Sequence, residues 1–271
     1  MAPPELNDEI LTHYAEEVDE GTRLGRGLNE LELIRTRDVL RAQLGDAPAR
    51  ILDIGGATGV HARWLTDDGH RVHVVDPVPR HVEAVLALRD ERPGITAELG
   101  DARALAATDS SYDVVLVFGP MYHLTERDER VLALREAARV VVPGGPVFVA
   151  AISRHASLLS GLAHEFLFDP DFRAIVERDL RDGQHRNPQR RPEWFTTAYF
   201  HRAEDLVDEI AAAGLEPLDV IGLEGPAAWL PHLESRWRDP EGREAILFSA
   251  RTASSEPAFS PHLLAVSRRP R

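Results

Sequence analysis

Gly55, Gly56, Ala57 and Gly59, in the run Arg50-Ile-Leu-Asp-Ile-Gly-Gly-Ala-Thr-Gly-Val60, are small residues set where an apolar strand turns into a helix. Without bulky side chains, backbone N–H groups there lie bare at the positive end of the helix dipole, so a ligand can rest directly against them. Twenty-three residues after Asp53, a second apolar run, Arg71-Val-His-Val-Val-Asp76, ends in another acid. An acid at the tip of the second strand of such a unit is placed to hold the two hydroxyls of a ribose. The two features together describe a site for a nucleoside-containing ligand.

Further along, Gly119-Pro-Met-Tyr-His-Leu124 places Tyr122 and His123 just after a fourth apolar run. An imidazole, with an ordinary pKa of about 6.5, suits removal of a proton from a phenol, a hydroxyl or an ammonium. His123 is therefore the candidate base, the competing reading being that it caps or packs beneath the ligand. Phe166, Tyr199 and His201, among other aromatic and histidine residues between 155 and 201, could line a pocket for a flat organic molecule or build that segment's own core. No His-Glu-x-x-His or comparable ligand spacing occurs, so no metal is expected.

The spacing at Gly55 fails the dinucleotide fingerprint, because Ala57 and Val60 stand where its second and third glycines belong, and no triphosphate-binding Gly-x-x-x-x-Gly-Lys-Ser/Thr element occurs. The ordered set resembles the class I S-adenosylmethionine-dependent methyltransferases, whose first motif is similar to Asp-x-Gly-x-Gly-x-Gly. Here it stands as Asp53-Ile-Gly-Gly-Ala-Thr-Gly59, with alanine for the middle glycine. The resemblance continues through Asp76-Pro77, Asp101-Ala102, the strand Tyr112–Phe118 with Gly119, and the turn Val142-Pro-Gly-Gly-Pro-Val-Phe-Val-Ala150. It implies that S-adenosylmethionine is the cofactor and S-adenosylhomocysteine its product. It also implies that Gly55, Gly56, Ala57, Asp76, Pro77, Asp101, Ala102, Phe118 and Gly119 hold that cofactor, Asp76 at the ribose and Asp101 at the adenine amino group.

With that cofactor, Tyr14 could close over the sulfonium, whose charge an aromatic face attracts, and so serve both binding and catalysis. Arg35, in Leu31-Glu-Leu-Ile-Arg-Thr36, could take the methionine carboxylate through paired hydrogen bonds, or else pair with Glu32 or another helical acid. Tyr122, His123, Phe166, Tyr199 and His201 are the expected acceptor contacts.

Apolar periodicity supplies the elements that must position these groups. Strands are expected near 50–54, 71–76, 95–99 and 113–118, alternating with helices near 59–67, 79–90 and 126–141. Thr125 and Asp128 read as a capping pair for the last of these. Such alternation marks a doubly wound α/β fold with a mostly parallel sheet. The resemblance completes it as a Rossmann-like sheet of seven strands, one of them antiparallel. A single domain is expected: a helical cap at 7–44, a cofactor-binding core at 45–152, a helical insertion and substrate lid at 153–201, and the second half of the sheet at 202–271. Within the insertion, helices are expected at 156–168 and 170–181.

Composition narrows the partners. Lys and Arg number 31 against 45 Asp and Glu, and a net charge of −14 repels a nucleic acid backbone. The chain has no cysteine, which excludes disulfides and thiolate chemistry. Its first residues are acidic, without the basic start and apolar stretch of a signal peptide, and its apolar runs are strand-sized. A cytoplasmic protein without membrane contact is expected, with a small-molecule acceptor and with helical surfaces that could form a homodimer. The competing functions are a catalytically silent cofactor-binding sensor or partner subunit and, disfavoured by the failed fingerprint, a nicotinamide oxidoreductase.

Overall fold

A computed structural model describes residues 28–45 and 47–271. Tyr14 and residues 7–27 of the expected helical cap lie outside the described residues. The described chain opens with α1 (Leu28–Gln43) and then alternates β1 (Arg50–Ile54), α2 (Val60–Asp67), β2 (Arg71–Asp76), α3 (Pro79–Leu86), β3 (Ile95–Leu99) and β4 (Val114–Val117). A single turn, α4 (Pro120–His123), leads to α5 (Arg127–Val140) and β5 (Pro146–Ser153). Beyond it come α6 (Ala156–Ala163), α7 (Pro170–Asp182), the short strands β6 (Gln184–His185) and β7 (Ala198–His201), and α8 (Ala203–Ala212). The chain closes with β8 (Glu216–Gly222), α9 (Leu233–Arg238), α10 (Pro240–Thr252) and β9 (His262–Arg268).

Strands β3, β2, β1, β4 and β5 lie side by side and parallel. Strand β9 runs antiparallel along β5 from Pro146 to Ile152, and β8 pairs antiparallel with its outer edge. These seven strands form the expected doubly wound sheet with one antiparallel strand. The ribbon of β6 and β7 adds two more, joining β5 at Ile152 and Ser153. Because β1 is flanked by β2 on one side and β4 on the other, the connections leaving β1 and β4 diverge, and their carboxyl ends frame a crevice. Gly55 and Gly119 stand at those two ends.

Alternation along the strands sends side chains to opposite faces. Leu52, Ile54, Val115, Val117, Val147 and Val149 pack on α5 and α8 through Val131, Leu134, Leu206 and Ile210. On the other face, Ile51, Val72, Val74, Leu116 and Phe148 meet α1 and α2 through Val39, Leu40, Trp64 and Leu65. Each such side chain contributes about 1.5–3 kcal/mol on burial, so the sheet's edge is held rigidly enough to present a site.

Two local expectations fail. Helix α5 is capped at Glu126 without a side-chain hydrogen bond. The Thr125 carbonyl instead accepts hydrogen bonds from Arg130 (2.9 Å) and Gln184 (2.9 Å), so tertiary contacts displaced the capping pair. The expected helix at 156–168 breaks after Ala163: Glu165 adopts a left-handed φ of 64° and a 3₁₀ turn spans Phe166–Phe168. That break lets Phe166 turn inward against the ring of Phe172, at 5.4 Å. Among the described residues, no helix is long and apolar enough to cross a membrane.

Candidate active site

Ile54 ends β1 and the chain enters the bend through Gly55, whose φ of 76° lies in the left-handed region. A Cβ on Gly55 would sit 2.7 Å from the Phe118 carbonyl and 2.8 Å from Pro120 Cδ, so only glycine lets the β1 and β4 ends approach this closely. Ala57 follows with φ 46°, an unusual setting for a side chain that costs about 1–2 kcal/mol. Its N–H donates to Asp76 Oδ2 at 2.9 Å, which ties the bend to the tip of β2.

Asp76 is buried and held from three directions. Besides the Ala57 N–H, the Val78 N–H (2.9 Å) and His81 Nδ1 (3.0 Å) both reach Oδ1. A carboxylate offers roughly four lone-pair directions, so Oδ2, which accepts from the Ala57 N–H, retains one. At the tip of β3, Asp101 is gripped by Arg103, with Nη2 at 2.6 Å from Oδ2 and Nε at 3.0 Å from Oδ1. Hydrogen bonding to Asp101 raises the Arg103 guanidinium above its ordinary value, and Arg103 in turn reaches Glu129 on α5 at 2.6 Å. Both acids are thus aimed before any ligand arrives.

One cavity gathers Gly55, Ala57, Asp76, Pro77, Asp101, Ala102, Gly119, Tyr122 and His123. Ile54, Val75, Val78, His81, Gly100, Pro120 and Leu124 complete its wall. His81, which the sequence did not single out, lines the cavity and contacts Asp76. The available signal was its place in the first turn of the helix that follows Asp76. Tyr122 and His123 line it together, their rings edge to face at 4.6 Å.

Other expected contacts lie elsewhere. Arg35 is buried, with Nη1 on Asp38 (3.0 Å) and Nη2 on Ser254 Oγ (2.8 Å), and does not line the cavity. It is a helical ion pair, with Asp38 as the partner and not Glu32. Gly56 and Phe118 also stand outside the lining. A Cβ on Gly56 would meet Asp53 at 2.6 Å, and Phe118 packs in the core against His61 at 4.9 Å. Phe166 belongs to the insertion's own core with Phe172, Ile175 and Trp194. Tyr199 carries the Arg130 guanidinium on its ring face at 3.6 Å, and His201 is buried with Nε2 3.2 Å from Glu209. Those three aromatic and imidazole groups therefore stabilise the insertion and its junction, and are corrected from acceptor contacts to packing.

Asp53, in mid-strand beneath the bend, is fully buried, and neither carboxylate oxygen has a hydrogen-bond partner among the described residues. Burial, with the nearby charge of Asp76 as a lesser cause, pushes its carboxyl up to about 7. Unfolded, the same group ionises near 3.8. The folded state therefore holds a proton that the unfolded state releases, and this contribution is full below pH 4 and lost as pH rises through 7. Asp53→Asn should remove that slope, its stability rising relative to the native protein by about 3 kcal/mol between pH 5 and pH 8. Urea unfolding at the two pH values checks it; an identical gap at both would contradict the assignment.

Comparisons with known proteins agree with this geometry. A family described as a methyltransferase domain matches residues 51–145. An uncharacterized methyltransferase of Mycobacterium tuberculosis is 33% identical over 159 residues, 58% of each chain, so the present chain spans under two thirds of that relative. A demethylmenaquinone methyltransferase of Beutenbergia cavernae is 32% identical over 172 residues, covering 59% of this chain and 68% of the relative. The crystal structure of an S-adenosylmethionine-dependent methyltransferase from Mesorhizobium loti shares the fold with a TM-score of 0.60 at 17% identity, over 88% of this chain and 100% of that one. With these relatives and this sheet order, the chain belongs to the class I S-adenosylmethionine-dependent methyltransferase family.

Proposed function

We propose that this chain transfers a methyl group from S-adenosylmethionine to a small-molecule acceptor through a nitrogen, oxygen or carbon nucleophile, with His123 as the base. The observation that carries the reading is that Gly55, Asp76, Asp101 and His123 wall a single cavity at the switch point of the sheet. The residues fit the cofactor: Gly55 and Ala57 line the cavity with no side chain larger than a methyl group, and Asp76 Oδ2 keeps an accepting direction for a ribose hydroxyl. Asp101 lines the same cavity and is the acid that would face the adenine amino group. When bound, the cofactor supplies an electrophilic methyl on a sulfonium.

The protein's work is then alignment and proton removal. Tyr122, His123 and Leu124 line the same cavity and would orient the acceptor, while His123 takes the proton its nucleophile must lose. The insertion at 153–201 acts as a lid, its own core fixing its shape. A relative named for demethylmenaquinone supports an acceptor of small-molecule size.

Calorimetry with S-adenosylhomocysteine and methyl-donor turnover against amines, phenols and carboxylic acids test the reading together. His123→Ala should lower turnover by about 10²–10⁴-fold while leaving S-adenosylhomocysteine affinity nearly unchanged. Parallel loss of both would make His123 structural. Tight binding without turnover on any acceptor would favour a silent cofactor-binding subunit.

A further inference from the structure

We infer that Glu32, Glu224 and His262 form a binding site for one first-row divalent cation. The three come from separate elements: Glu32 from α1, Glu224 from the segment after β8, and His262 from the first residue of β9. One ligand atom from each, an imidazole nitrogen and two carboxylate oxygens, lies within 4.8 Å of the others. His262 Nδ1 is 3.7 Å from Glu32 Oε2 and in hydrogen-bond contact with Glu224 Oε1. Ligands around a single ion with bonds near 2.1 Å stand roughly 3–3.5 Å apart, so seating an ion requires side-chain adjustment and no movement of backbone.

The support behind these groups is built. Ser260 is fully buried, and its Oγ donates to Glu224 Oε2 at 2.6 Å while accepting the N–H groups of Glu224 (3.0 Å) and Gly225 (3.3 Å). The His262 N–H adds a longer contact to the same Oε2 at 3.3 Å. Oε2 is thereby committed to the protein and Oε1 turns toward the cluster, the arrangement by which a second layer of hydrogen bonds aims a metal ligand. The Glu224 side chain has no exposure, whereas those of Glu32 and His262 keep 16% and 25%, which leaves an entry path.

Two carboxylates and a neutral imidazole carry a charge of −2, complementary to a divalent ion. One nitrogen among the donors favours manganese, iron or zinc over magnesium or calcium, which prefer oxygen alone. Among the described residues three ligands meet at the carboxyl edge of the sheet, since β8 ends there and β9 begins there beside the end of β5. Such an ion would staple α1 to the antiparallel end of the sheet.

Calorimetric titration of the EDTA-treated full chain with manganese chloride, zinc chloride and magnesium chloride decides it, independently of any turnover. The expected result is one equivalent of manganese or zinc bound, with magnesium at least about tenfold weaker. Glu32→Gln and His262→Gln, both at partly exposed positions, should each weaken that binding at least tenfold, with circular dichroism verifying that the variants fold. Ser260→Ala should weaken it by about 10–100-fold, as loss of a supporting hydrogen bond does. Absence of manganese and zinc binding, or binding equally strong in both Gln variants, overturns the site.

Discussion

Arg130→Ala should lower unfolding stability by about 3–5 kcal/mol, the range for removing one partner of a buried ion pair. Arg130 and Glu209 have side-chain exposures of 1% and 2%, and the pair is bidentate, with Nη2–Oε1 at 2.6 Å and Nε–Oε2 at 2.9 Å. Burial alone would raise the Glu209 carboxyl, but hydrogen bonds from His201 and Arg130 outweigh it and hold it down to about 2. This stabilisation is full above the unfolded pKa of 4.5 and is lost as pH falls toward 2. Truncation leaves a buried carboxylate with His201 as its remaining side-chain partner, and desolvation drives that imidazole away from the charged form. The Nη1 group also holds the carbonyls of Leu124 (3.0 Å) and Thr125 (2.9 Å), so the segment carrying Tyr122 and His123 loosens with it. Urea unfolding measures the loss, and the double replacement Arg130→Met with Glu209→Leu should recover much of it, because no charge is then stranded. A single variant as stable as the native protein would show that water enters the junction freely.

Gly55→Ala should cost about 2–4 kcal/mol of stability, from the left-handed backbone and from overpacking, and should weaken S-adenosylhomocysteine binding at least tenfold. The new methyl group would fall within 3.0 Å of the Phe118 carbonyl and of Pro120 Cδ, a backbone atom and a ring atom that cannot swing aside. Relief requires the β1 and β4 ends to part, which displaces both the bend and the turn that carries Tyr122 and His123. Denaturation and calorimetry on the same preparation read the two effects. A normal unfolding midpoint with a normal dissociation constant would mean that the close approach of the two strand ends is not needed.

The glycine bend, Asp76, Asp101 and the strand-helix alternation were all legible because each depends on neighbours in the chain. A strand runs into a turn and then a helix within a dozen residues, and that unit carries its own acid to the sheet edge wherever the rest of the fold goes. The fate of long side chains was not legible on the same terms. Phe166, Tyr199 and His201 have the chemistry of an acceptor pocket and equally of a core, and only the partners Phe172, Arg130 and Glu209 placed them in packing. Arg35 followed the same rule when Asp38 and Ser254 captured it. His81 was hidden by an ordinary helical position, although its imidazole meets Asp76 five residues back. Arg130 and Glu209 stand 79 residues apart, and Glu224 and His262 stand 38 apart. Pairings of that reach are set when sheet and helices close around a common core. Local sequence therefore specified the glycine bend and the acids at the sheet edge, whereas the closed tertiary structure decided which polar groups face the cavity, which lock the fold, and which converge at its edge.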